Sequence, residues 1–262
     1  MARKRATGPC HICGEDGDLS FEHVPPRAAF NDRPLINPDI TKVIGTDDPD
    51  AFENLRGRKA RRGAGAYTLC ERCNKTTGGW YGPAYVEWVS QGLTLLAASS
   101  GSPNLYHIFH IFPLMVLKQI VCMFFSANGP QFRDVHPSLV RFVLSREARW
   151  LDPKVRIFVF YTMSNRSRQS GVSVLGRLSD DGTSVQTKVF SEITFPPFGF
   201  ILALDSPPPD HALFDISFFA EYRYNDWRDV QLRLPAREIY SPLPGDYRSR
   251  DEIREVLRRD QS

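Results

Sequence analysis

The sequence predicts an α+β protein in two parts: a small metal-held ββα unit over residues 1–98, then an α+β unit over 104–262 with a mostly antiparallel sheet. Three observations carry this. Four of the five cysteines fall in two Cys-x-x-Cys knuckles, Cys10-His-Ile-Cys13 and Cys70-Glu-Arg-Cys73. The small-residue break Ser99-Ser-Gly-Ser-Pro103 divides the chain. After it come two helical stretches and then β-branched or aromatic runs separated by turn residues.

A chain of 262 residues exceeds the usual ~100–150 of one domain, which favours two parts, with one large α+β unit as the alternative. With 42% hydrophobic and 24% charged residues and no long apolar run, the composition is that of a soluble globular protein without a membrane span. The start, Met-Ala-Arg-Lys-Arg, leads into Thr-Gly-Pro-Cys rather than an apolar segment, so a cytoplasmic protein without a secretory signal is expected. Paired knuckles with one cysteine left over fit metal binding in a reducing compartment better than disulfides. Two such pairs complete the tetrahedral sulfur shell of a closed structural zinc site, and Cys10, Cys13, Cys70 and Cys73 are its expected ligands.

In chain order, Pro9, Gly14 and Gly17 flank the first knuckle as turn residues. Leu19 to Val24 reads as a short strand carrying Glu22 and His23 and stopped by Pro25-Pro26. Residues 27–50 lack periodicity and are expected to be irregular, with one helical turn near 49–55. Ala66 to Leu69 is a second strand feeding the second knuckle. A short helix follows from Cys73 and is expected to end at Thr76-Thr-Gly-Gly, with a longer one starting at Pro83. Pro113 to Ala127 is a deeply buried apolar helix stopped by Asn128-Gly129-Pro130, and a further helix spans about Pro137 to Trp150. Strands are expected at 155–162, 171–178, 185–194, 200–204, 214–224 and 230–234, with Asp180-Asp181-Gly182 as a hairpin turn. Arg248 to Arg259 is a solvated helix of mixed charge.

Hydrolysis of a phosphodiester requires an activated water, in-line geometry and positive charge on the leaving oxygen. A neutral imidazole can take the proton from water, while a carboxylate and a carboxamide oxygen can hold a hard cation. His23, Glu22 and Asn74 are those groups. Neighbours on a strand point to opposite faces, so Glu22 and His23 meet in one pocket only if the strand is distorted or ends there. A net charge of +3 does not by itself indicate nucleic acid. Its distribution is more informative, because residues 54–75 hold seven basic residues against the single acid Glu71. Of these, Arg56, Arg58, Lys59, Arg61, Arg62 and Lys75 are the candidate phosphate contacts. The competing assignment for the same charges is a solvated loop.

The order Cys-x-x-Cys, Glu-His-x-x-Pro, Leu-Cys-x-x-Cys-Asn resembles the zinc-containing branch of the HNH (ββα-metal) endonucleases over roughly residues 8–82. The resemblance implies a DNA endonuclease in which Cys10, Cys13, Cys70 and Cys73 hold structural zinc. It further implies that Glu22 and Asn74 hold a catalytic Mg²⁺ or Mn²⁺ and that His23 is the general base. The family usually carries an Asn before the second knuckle that orients the histidine. Gly65 stands nearest that place here, with Asn54 upstream or a backbone carbonyl as substitutes. The alternative from another functional class is a non-catalytic zinc module that binds nucleic acid or protein through the basic stretch.

Overall fold

The computed structural model describes residues 6–38, 56–99, 101–162, 164, 166–178 and 185–259. The expected helical turn at 49–55, Asn54 and the Asp180-Asp181-Gly182 turn lie outside them.

Strand β1 (Thr7–Pro9) turns through the first knuckle into β2 (Asp16–His23), and β2 pairs antiparallel with β5 (Gly65–Cys70). The sheet order is β1-β2-β5. A register shift between Ser20 and Phe21 gives β5 one extra residue opposite β2, the signature of a bulge. Between β2 and β5 lies a separate antiparallel pair, β3 (Leu35–Pro38) with β4 (Gly57–Ala60). The sequence shows no periodicity there because the pair buries no apolar face: Ile36 is 66% exposed and β4 reads Gly-Arg-Lys-Ala.

The helix after the second knuckle is one element, not two. α1 runs from Glu71 to Ala98 with Pro83 inside it. Interior proline costs ~3 kcal/mol and interior glycine about 1 kcal/mol each, which is why Gly78-Gly79 and Pro83 read as a break. Burial outweighs them. Tyr81, Tyr85 and Trp88 are all at most 2% exposed, and each large side chain taken out of water returns roughly 1.5–3 kcal/mol. Thr77 and the Tyr81 hydroxyl, which donates to the Val143 carbonyl at 2.9 Å, anchor the segment that the glycines would loosen.

Beyond the break, β6 (Asn104–Ile111) precedes α2 (Pro113–Ala127), which starts and stops where the sequence places it. α2 is buried on every side and packs against α1, β5, β8, β9, the helix at Pro137–Leu144 and the turn at Ser217–Glu221. The next expected helix is divided and shorter, α3 (Phe132–Val135) and α4 (Pro137–Leu144), with the chain leaving helical form at Ser145. Strands β7 (Val155–Thr162), β8 (Arg168–Leu178), β9 (Val185–Phe195) and β10 (Phe198–Leu204) match the predicted runs closely. The run expected at 214–224 gives only the two-residue β11 (Phe214–Asp215), followed by a 3₁₀ turn at Ser217–Glu221. β12 (Arg228–Arg237) completes a sheet ordered β6-β12-β7-β10-β9-β8 with β11 on β7, antiparallel except where β12 meets β7. Helix α5 (Arg250–Arg259) buries only Ile253.

One buried cluster extends from Cys10 and Ile12 through Trp88 and α2 to Phe198 and Leu232, so segments 1–98 and 104–262 share an apolar core. At Gly92, a Cβ would stand well inside contact distance of the Phe198 ring, so glycine permits α1 to lie against β10. A smaller cluster around Phe158, Phe160 and Phe190 covers the other face of the sheet. Among the described residues no helix is long and apolar enough to cross a membrane.

Candidate functional site

The two knuckles meet. The sulfurs of Cys10, Cys13, Cys70 and Cys73 lie within 4.8 Å of one another, and Cys13 and Cys70 are 3.8 Å apart. Four thiolates about 2.3 Å from one ion in a tetrahedron would be separated by about 3.8 Å, so this donor set fits zinc. Local geometry aims the sulfurs. Cys70 caps α1, its sulfur accepting from the Cys73 N–H at 3.4 Å, and the Gly14 N–H bonds the Cys10 carbonyl at 2.8 Å across a turn in which Gly14 takes φ +79°. Hydrogen bonding from Cys73, assisted by backbone N–H groups, draws the Cys10 thiol down to about 4. The same contact and burial push Cys73 well up, and burial raises Cys13. The sulfurs thus compete for negative charge, and a cation among them removes that competition.

The knuckle is also fastened to the centre of the molecule. His11 Nδ1–H donates to the Phe125 carbonyl at 3.0 Å, Arg133 Nε–H donates to the Ile12 carbonyl at 3.2 Å, and Thr68 Oγ1–H bonds Ser126 Oγ at 3.0 Å. His11 and Arg133 are 122 residues apart and share no motif, so neither role is legible in the sequence.

His23 ends β2. Its ring meets Phe21 edge to face at 4.9 Å, and Phe21 in turn meets Tyr67 at 5.4 Å, so these rings line one face of the sheet. His23 Nε2 lies 3.0 Å from the Arg62 carbonyl. A carbonyl only accepts, so Nε2 carries the proton and Nδ1 keeps the lone pair. Burial lowers the imidazole pKa, and the charges of Arg27 and Arg62 add to this against the Arg62 hydrogen bond. The Arg62 guanidinium itself stacks over Phe21 and Tyr67 and donates to the Tyr67 hydroxyl at 2.9 Å.

Glu22 lies on the other face with Ser20, toward the helices. Burial raises its carboxyl to about 7, and its charge reaches Cys122 on α2, whose thiol burial also raises. Among the described residues no donor bonds the Glu22 carboxylate. Asn74 sits in the first turn of α1 on this same face, donating through Nδ2 to Ser20 Oγ at 3.0 Å and to the Phe21 carbonyl at 3.5 Å. That leaves its Oδ1 without a hydrogen bond among the described residues. Glu22 and Asn74 therefore carry unspent hard oxygens on the helix side of β2, and His23 points from the opposite side of the same strand end.

Gly65 is not a vacant site for the missing Asn. It pairs with His23 at φ +151°, and a Cβ there would stand 3.0 Å from His23 Cα and well inside contact distance of the Glu22 carbonyl oxygen. The Arg62 carbonyl holds the imidazole instead. Arg56, Arg58, Lys59, Arg61, Arg62 and Lys75 are all exposed, though Lys75 pairs with Glu71 at 2.6 Å. His107 and His110, three apart on β6, take opposite faces, His110 2.5 Å from Asp229, and do not converge on a metal.

A comparison with protein-family models, curated proteins and solved structures finds no match for this chain.

Proposed function

We propose that the chain is a metal-dependent endonuclease of the HNH type that hydrolyses phosphodiester bonds in DNA. The observation that carries this reading is the His23 imidazole, anchored through Nε2–H to the Arg62 carbonyl and left with a free Nδ1 beside two arginines. In this reading His23 Nδ1 accepts the proton of the attacking water, while Arg62, and Arg27 beside it, favour a phosphate next to the base. In this reading Glu22 and Asn74 Oδ1 would hold a divalent cation, which would supply positive charge for the developing leaving oxygen. Zinc held by Cys10, Cys13, Cys70 and Cys73 would staple β2, β5 and α1 and take no part in the chemistry.

A second reading has its own support. Glu22 and His23 issue from opposite faces of β2, as suits a zinc module that binds nucleic acid through the exposed basic residues without cutting it. Plasmid nicking with Mg²⁺ or Mn²⁺ separates the two. Cleavage by the wild type that nearly vanishes in His23→Ala supports the nuclease, whereas equal residual cleavage in both rejects it in favour of the binding module.

A further inference from the structure

The imidazole is oriented by a main-chain carbonyl on a short turn, so something must hold that turn in register with the histidine. One side chain does so. Asn31 is 1% exposed and its carboxamide makes three hydrogen bonds: Nδ2 donates to the Pro25 carbonyl at 2.7 Å and to the Ala64 carbonyl at 2.8 Å, and Oδ1 accepts from the Ala64 N–H at 2.7 Å. Pro25 lies two residues after His23, and Ala64 lies two residues after Arg62. The Val24 N–H also donates to the Ala64 carbonyl, at 3.0 Å. His23, Val24, Pro25, Asn31, Ala64 and Arg62 thus form a ring of bonded contacts closed by the His23–Arg62 hydrogen bond.

Two backbone features show the fold accommodating Asn31. Gly63 takes φ +86°, and a Cβ there would come within 2.5 Å of the Asn31 main-chain oxygen, so the turn closes onto Asn31 only with glycine. Phe30, immediately before it, adopts φ +65° although it is aromatic and half exposed. A bulky residue in the left-handed region is strained, and such strain persists where surrounding bonds over-determine the conformation. From the far side, Gln169 of β8 donates to the Val24 carbonyl at 2.5 Å, which fixes the same segment against the large sheet.

We infer that Asn31 is the positioning residue of this site: by clamping the 62–64 turn to the segment after His23, it sets the Arg62 carbonyl that selects the Nε2–H tautomer and the ring plane of His23. It does through the main chain what an asparagine on β5 would do directly, and what Gly65 cannot. The catalytic consequence rests on the nuclease reading, but the tautomer does not.

The test reads both. Nitrogen-15 NMR of the histidine side chains in the zinc-loaded full chain should show neutral His23 protonated at Nε2. In Asn31→Ala, and in Asn31→Asp, which keeps an acceptor but loses both donated bonds, the His23 signals should move toward a tautomer mixture. Leu139→Ala, a buried change in α4, should lower stability without moving them. Cleavage by the Asn31 variants should fall about 10- to 100-fold in kcat at unchanged apparent cation affinity, the range of lost orienting partners elsewhere. A wild-type His23 protonated at Nδ1, or Asn31 variants that retain the pure Nε2–H tautomer, would overturn the inference. So would failure of both variants to fold with zinc, which would make Asn31 a folding residue only. Scrambled tautomers alongside a wild type that cleaves no better than His23→Ala would leave the positioning role standing and remove the nuclease.

Discussion

An imidazole whose Nε2–H is spent on a carbonyl has one basic nitrogen to offer, and at His23 that nitrogen is Nδ1. On the proposed nuclease reading, a positioned general base contributes typically ~10²–10⁴-fold, so His23→Ala should reduce DNA cleavage by about that factor while metal content and circular dichroism stay unchanged. Glu22→Ala and Asn74→Ala should act differently, raising the Mg²⁺ or Mn²⁺ concentration needed for half-maximal cleavage, which a cation titration reads directly. Gly65 makes a contrary prediction at the same scale. Inserting Asn there should not improve the site, because its backbone is at φ +151° and its Cβ collides with the Glu22 carbonyl. Gly65→Asn should cost roughly 1–3 kcal/mol of stability, measurable in urea denaturation, with activity lowered rather than gained.

At the scale of the element, the β3–β4 pair is held by its ladder rather than by a buried face, and it displays Arg58 and Lys59 on opposite sides with Arg56 and Arg61 at its ends. If these residues contact phosphates, replacing Arg56, Arg58, Lys59 and Arg61 by Ala should weaken DNA binding for every sequence and flatten its salt dependence. Each lost contact removes about 0.9 from the slope of log K against log salt, as a filter-binding or anisotropy series would show. Arg62 belongs apart from them, since its stack on Phe21 and Tyr67 makes it part of the His23 surroundings. In the large sheet, Glu192 and Arg168 form a fully buried pair at 2.7 Å. Arg168 also donates to the carbonyls of Ser241, Leu243 and Asp246, and Glu192 accepts from Thr194 and from the Gly245 N–H. Glu192→Ala strands a guanidinium in the interior and should destabilise by roughly 3–5 kcal/mol in denaturant unfolding.

Across the whole molecule, the cysteine cluster is continuous with the main core: Cys10 and Cys73 belong to the same buried cluster as Trp88, α2 and β10. Hydrogen bonds from His11 and Arg133 tie the first knuckle to α2 and α3. Metal binding at such a site is folding free energy. Chelation, or Cys73→Ser, should therefore lower the thermal midpoint of one shared transition rather than melt residues 1–98 alone. Scanning calorimetry showing a second, unshifted transition for the C-terminal part would contradict this.

The cysteine knuckles, the ends of α2 and the strands from β7 to β10 were legible because each is local: ligand spacing, a proline start, an Asn-Gly-Pro stop, and apolar runs bounded by turn residues all lie within a few positions. Glu22, His23 and Asn74 are candidates for the same reason, from their order around the knuckles. What tertiary structure decided is whatever depends on contacts distant in the chain. α1 runs through Gly78-Gly79 and Pro83 because Trp88 and its neighbours have a core to enter, and local propensity cannot register that core. The irregular-looking residues after His23 hide a polar clamp, since Asn31 meets Ala64 across 33 positions without any periodic signal. Even the orientation of His23 comes from a main-chain carbonyl 39 residues away, a group every residue possesses and no residue type announces.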